Sequence, residues 1–147
     1  MKGVLVDSNV ILDIFLNDPI WADWSEATLE KYSQHTPLYI NSIIYSEVSI
    51  GFIKIEDLES SIVKSGFQML EIPKEALFLA GKVFLQYKKQ KGVRRTPLPD
   101  FYIESQAAVL YLDLITRDAS RLCISPASRK SIYCHVTSDE KYFAQKW

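Results

Sequence analysis

No apolar run in the 147 residues approaches the roughly 20 that a bilayer crossing needs, so no membrane span is expected. Cysteine and histidine are scarce and scattered. Cys123 and Cys134 stand without a C-x-x-C pattern, and His35 and His135 are equally isolated. That argues against a disulfide framework and against a zinc site of thiolates and imidazoles; reduced packing cysteines are expected instead. The chain also lacks an internal repeat, a low-complexity tract and a linker rich in Pro, Gly or Ser. Its start, MKGVLVDSNV, meets a charge at Asp7, too early for the apolar core of a secretory signal. A cytoplasmic protein is expected. Acidic residues are missing from Glu75 to Asp100, whereas Lys82, Lys88, Lys89, Lys91, Arg94 and Arg95 all fall there.

What is present fits a soluble globular chain: 48% hydrophobic and 24% charged residues are ordinary values, and the length suits one domain with a real core. Residues 1–147 are read as that single domain, with 125–147 a C-terminal strand and tail of uncertain role. The net charge of -1 conceals a polarity. Residues 1–75 carry 12 acidic and 5 basic side chains, while 76–147 carry 6 acidic and 12 basic ones. A basic run is usually a solvated helix face. Placed directly before Asp100, this one also reads as a rim that attracts phosphate.

Short apolar runs alternate with helical patterns. Residues 3–6 read as a buried strand, followed by a helix from Val10 to Leu16 that Ser8 or Asn9 can cap. An amphipathic helix over Trp21–Gln34 precedes a strand at 38–40, and Asn41 or Ser42 caps a helix reaching Phe52. Further helices are expected over 55–64 and 74–91, with a strand at 67–72 between them. The repeat of Leu77, Ala80, Phe84 and Tyr87 marks a core stripe. Pro97 and Pro99 mark a loop, Asp100 opens a helix to Tyr111, and strands are expected at 114–116 and 132–136. Strands separated by helices imply an α/β fold, a mostly parallel sheet with helices on both faces. In such sheets the site lies beyond the carboxyl ends of the strands.

Four carboxylates fall at or near such places: Asp7, Glu47, Asp100 and Asp118. Asp7 and Asp118 each end a predicted strand, Glu47 sits in a largely apolar helix, and Asp100 follows Pro99. Acids that lose hydration near one another need an offsetting charge, and a divalent cation supplies it. With no His or Cys cluster nearby, the oxygen-rich set suits Mg²⁺ or Mn²⁺. Such an ion activates water, orients a phosphate and neutralises developing charge in phosphodiester hydrolysis.

The run Val4-Leu5-Val6-Asp7-Ser8-Asn9 resembles the first motif of PIN-domain proteins, and Asn41-Ser42-Ile43-Ile44-Tyr45-Ser46-Glu47 resembles the second. Pro99-Asp100-Phe101-Tyr102-Ile103 is similar to the third, and Leu114-Ile115-Thr116-Arg117-Asp118 to the fourth. Each motif alone is weak, but all four occur in order between residues 3 and 122, at a length that suits a stand-alone domain of the VapC toxin type. The resemblance implies a three-layer α/β/α sandwich and an Mg²⁺- or Mn²⁺-dependent endoribonuclease. It also implies an antitoxin partner from a type II toxin–antitoxin pair, and a homodimer. It assigns Asp7, Glu47, Asp100 and Asp118 to the catalytic metal site. Asn9 becomes a brace of the first motif, and Thr116 a hydroxyl able to orient Asp118. The sequence departs from the third motif where Glu104 and Ser105 replace small residues.

Simpler readings stand beside these. Asp7 is also a natural helix cap, Asp100 a first-turn acid favoured by the helix dipole, and Asp118 a turn residue. Glu104, four residues beyond Asp100, is expected to face solvent rather than add a fifth acid to the site. Asp13 and Asp113 are read as surface acids. Lys88, Lys89, Lys91, Arg94, Arg95 and Arg117 are candidates for contacting the RNA backbone. The alternatives are a DNase with similar acidic chemistry and a non-catalytic domain that binds RNA or protein. A phosphatase of the haloacid dehalogenase type fits poorly, because Asp7-Ser8-Asn9 lacks its D-x-D.

Overall fold

The burial of the first strand dictates the architecture around it. A computed structural model describes residues 3–89 and 98–117. In it Val4, Leu5 and Val6 form β1 (Val4–Val6), each wholly buried. Successive strand residues point to opposite faces, so three buried in a row require cover on both sides of the sheet. β1 pairs in parallel with β2 (Leu38–Ile40) and with β4 (Asp113–Ile115), and β2 pairs in parallel with β3 (Phe67–Met69). The order is β3-β2-β1-β4. From β1 the chain moves outward to β2 and β3, then returns to β1's other side for β4. That reversal puts a topological switch point between the carboxyl ends of β1 and β4.

Among the described residues six helices surround the sheet: α1 (Ser8–Phe15), α2 (Ala22–Ser33), α3 (Ser42–Val48), α4 (Ile55–Lys64), α5 (Lys74–Lys89) and α6 (Leu98–Leu110). A 3₁₀ turn, Ser49–Gly51, extends α3. The result is a mostly parallel α/β/α fold, as the alternation of patterns predicted. Among the described residues no helix is long and apolar enough to cross a membrane. α4 ends where Gly66, at φ 77°, takes the left-handed conformation that closes a helix.

Several boundaries differ from the sequence reading, each for a local reason. α1 begins at Ser8, because Asp7 itself is the cap and its side chain accepts from the Ser8 N–H. β3 stops at Met69 rather than Ile72. Past one further sheet bond, from Leu70 N to Ile40 O, the carbonyls of Leu70 and Glu71 accept from the Gln106 side chain. On α5 the buried face centres on Ala76 and Ala80, which let α6 pack closely, with Phe101 against Phe84 and Tyr87. Leu77, expected in the core stripe, is 42% exposed. The strand expected at 132–136, the tail from 125, and Lys91, Arg94, Arg95 and Asp118 lie outside the described residues.

Candidate active site

At the carboxyl end of β1 the chain turns directly into α1, and Asp7 occupies the turn. Its N–H donates to the Ile115 carbonyl at 2.9 Å, which extends the sheet pairing and seats the side chain beside the exit of β4. The carboxylate is wholly buried. An ion there needs donors, since an unpaired buried charge costs on the order of several kcal/mol. Oδ1 accepts from the Ser8 N–H at 2.8 Å, and Oδ2 accepts from Asn9 Nδ2 at 3.1 Å and from the Thr116 hydroxyl at 2.8 Å. Three charge-assisted bonds fix both oxygens in place.

Ser8 extends this centre to a second acid. Its hydroxyl donates to Glu47 Oε2 and lies 3.5 Å from Asp7 Oδ1, so one small side chain spans the two carboxylates. Glu47 comes from α3, whose start is fixed by Asn41: the Asn41 side chain accepts from the Ile44 N–H at 2.8 Å. Asn41 is itself held by Gln106 of α6, whose Oε1 accepts from Asn41 Nδ2 at 2.7 Å. A polar seam therefore ties α6 to the helix that delivers Glu47.

These bonds bring together Asp7, Ser8, Asn9, Glu47 and Thr116. Ser8, expected only as a candidate helix cap, instead joins the two acids through the hydroxyl that stands in the Asp7-Ser8-Asn9 motif. Thr116 braces Asp7, whereas the sequence reading gave it to Asp118, which lies outside the described residues. Asp100 stands on another element, half-buried in the first turn of α6, a helix that packs against α3 and β4. Among the described residues no three or more Asp, Glu, His or Cys side chains are grouped to hold a metal ion. The donor chemistry of the joined set is nevertheless oxygen only, two carboxylates with hydroxyls between and beside them. That fits a hard divalent cation such as Mg²⁺ or Mn²⁺ and not a thiolate-seeking one.

Two expectations are corrected. Glu104, expected in solvent, is buried, because Phe101 and every residue from Ile103 to Ala107 are buried and the middle of α6 has no wet face. Asp13, expected on the surface, is 3% exposed: α1 is enclosed nearly all round, and its residue 13 meets α2 and the exit of β4. The guanidinium of Arg117, a candidate for contacting the RNA backbone, pairs with Asp13, with Nε 2.9 Å from Oδ2 and Nη2 3.0 Å from Oδ1. Asp113 is exposed. Burial of the Tyr32 phenol, aided by the negative charge of Asp113, raises the tyrosine's pKa.

A model of the PIN domain matches residues 4–139 of the chain. The chain belongs to the PIN-domain family. PIN domains are typically nucleases and generally depend on a divalent metal, in keeping with the all-oxygen centre. No curated protein matches the chain in sequence. Among solved structures, this PIN domain is similar to VapBC2 from Rickettsia felis, determined bound to a fragment of its promoter DNA. The TM-score is 0.66 at 22% identity, covering 84% of this chain and 93% of that one. A toxin–antitoxin complex from Klebsiella pneumoniae gives a TM-score of 0.64 at 23% identity, with coverages of 84% and 93%. FitAcB from Neisseria gonorrhoeae gives 0.61 at 20%, with coverages of 80% and 89%. At such identities the likeness bears on the fold, and these folds agree along most of both chains.

Proposed function

We propose that the chain is a metal-dependent endoribonuclease, the toxin of a type II toxin–antitoxin pair. One observation carries the reading: a wholly buried Asp7 at the β1/β4 switch point, braced by Thr116 and Asn9 and spanned to Glu47 by Ser8. A purely structural cap needs one hydroxyl or amide partner, not a second acid held across a serine. Asp7 and Glu47 are the residues that would hold Mg²⁺ or Mn²⁺, joined by Asp100 from α6 and by Asp118. When bound, the ion supplies a lowered water pKa and neutralises charge on the phosphodiester oxygens. The chain's own part is positional. Thr116 and Asn9 hold the Asp7 carboxylate in place, Ser8 sets its spacing to Glu47, and Lys88 and Lys89 at the end of α5 attract the RNA backbone.

Exposed apolar side chains support partners. Leu16, Ile50, Ile53 and Ile55 are each more than half exposed, and Gly51 packs against Leu16, so the end of α1 and the α3–α4 junction form one apolar region. An antitoxin segment is the occupant we assign to it, by likeness to the toxin–antitoxin complexes above. On α5 the exposed Leu77, Phe78 and Leu85 fall on one side of the helix, suited to a second copy of the chain.

The deciding experiment incubates the purified chain with RNA and matched DNA in Mn²⁺ or Mg²⁺, beside Asp7→Asn. We expect RNA cleavage by the parent and at least a roughly 100-fold loss in the variant, which keeps its helical circular dichroism. Equal cleavage by Asp7→Asn would remove Asp7 from the site. Cleavage of DNA alone would favour the DNase, and binding without cleavage in either ion a non-catalytic domain.

A further inference from the structure

Three consecutive residues leaving β4 are each fastened to α1 or to its cap. The Ile115 carbonyl accepts the Asp7 N–H, the Thr116 hydroxyl donates to Asp7 Oδ2, and the Arg117 guanidinium grips both oxygens of Asp13. The last of these is no ordinary surface pair. Asp13 is buried, and its Oδ2 also accepts from the Ser25 hydroxyl of α2 at 2.9 Å. The Trp21 ring covers the guanidinium, with its centroid 5.3 Å from Cζ, and Arg117 retains 25% exposure. A planar fork on a carboxylate, closed over by an indole, holds one geometry and yields little to rearrangement.

The backbone logic follows from the order of these bonds. A threonine hydroxyl reaches a fixed acceptor only while its own backbone is held on both sides. The sheet holds residue 115, and the ion pair holds residue 117. We propose that the Asp13–Arg117 pair positions the acidic centre, clamping the chain at residue 116 so that the Thr116 hydroxyl stays on Asp7 Oδ2. Arg117 is a positioning residue in this scheme, acting through Thr116 rather than on RNA. The inference rests on the proposed reading of the centre as a metal-dependent nuclease site.

A double-mutant cycle on the full chain tests it, with Arg117→Gln, Thr116→Val and the pair combined. The readouts are Mn²⁺ affinity by calorimetry, and kcat and KM on RNA. Arg117→Gln should weaken Mn²⁺ binding and lower kcat by roughly 10- to 100-fold, with KM moving less than about twofold. Added to Thr116→Val, the same change should cost less than about threefold, because both act through one bond. Arg117→Lys, which keeps the charge and one hydrogen bond, should recover part of the loss; it also carries the test if Arg117→Gln fails to fold. Fully additive losses would overturn the proposal, as would unchanged Mn²⁺ affinity in Arg117→Gln. A raised KM at constant kcat would overturn it too, returning Arg117 to the RNA. A parent that binds Mn²⁺ but leaves RNA intact defeats the ribonuclease reading alone, since the metal half of the cycle still decides. A parent that binds no Mn²⁺ defeats both.

Discussion

Asp7 does two jobs that pull on the same atoms. As the cap of α1 it must accept from the Ser8 N–H, and as the buried acid of the centre it must accept from Asn9 and Thr116. An amide at this position keeps one acceptor and turns the other into a donor, which then faces the Asn9 amide N–H and forces the Thr116 hydroxyl to turn from donor to acceptor. Asp7→Asn is therefore expected to lose about 1–3 kcal/mol of stability along with activity, measured by urea unfolding. Gln106 makes the same point away from the chemistry. Its side chain serves Asn41 and the carbonyls of Leu70 and Glu71, all with no exposure of its own. Gln106→Leu matches the volume but strands an amide and two carbonyls, so a loss of about 2–4 kcal/mol is expected. Activity should fall as well, since Asn41 sets the start of the helix bearing Glu47. A Gln106→Leu protein as stable as the parent would mean that water takes over those bonds.

Elements carry their own constraints, and α6 shows them at both ends. Its first turn includes Pro99, whose missing N–H would find no partner there in any case, followed by Asp100 where the helix dipole favours an acid. At the other end Tyr111 takes φ 59°, and the Leu112 N–H donates back to the Ala107 carbonyl at 2.9 Å, closing the helix in a Schellman turn. Glycine usually fills that left-handed position, because a Cβ there costs about 1–2 kcal/mol. Tyr111 is 68% exposed, so its ring gives little back through burial. Tyr111→Gly is expected to stabilise the fold by about 1 kcal/mol, seen as a higher denaturant midpoint at unchanged slope. A lower midpoint would show that the ring's packing outweighs the strain. Helix and strand placement was readable at this scale because caps, prolines and Gly66 punctuate the chain. The early end of β3 was not, since it depends on a glutamine 36 residues further along.

For the whole molecule, legibility divides along the same line. The parallel sheet followed from uninterrupted apolar runs such as Val4-Leu5-Val6, and the pairing of Asp7 with Glu47 followed from motif order rather than from periodicity. What no local pattern could announce was which acids lose their water. Asp13 and Glu104 look like solvent-facing residues on helices, and only the packing of α1 against α2 and of α6 within its neighbours buries them. The charge polarity of the chain is a further whole-molecule property, and it can be tested through salt. Lys88 and Lys89 end α5, and the Lys88 ammonium rests 4.9 Å from the centroid of the Phe84 ring, which holds the charge in place rather than letting it sweep solvent. If the two lysines meet RNA phosphates, the Lys88→Ala/Lys89→Ala double variant should raise KM at constant kcat. It should also flatten the dependence of log affinity on log salt by roughly 0.7 for each phosphate that is no longer neutralised. Some stability should go too, about 0.3–1 kcal/mol for each cation removed from the last turn. A salt slope equal to the parent's would identify the run as a solvated helix face. On the proposed reading, the attraction of RNA would then come from elsewhere in the basic half of the chain.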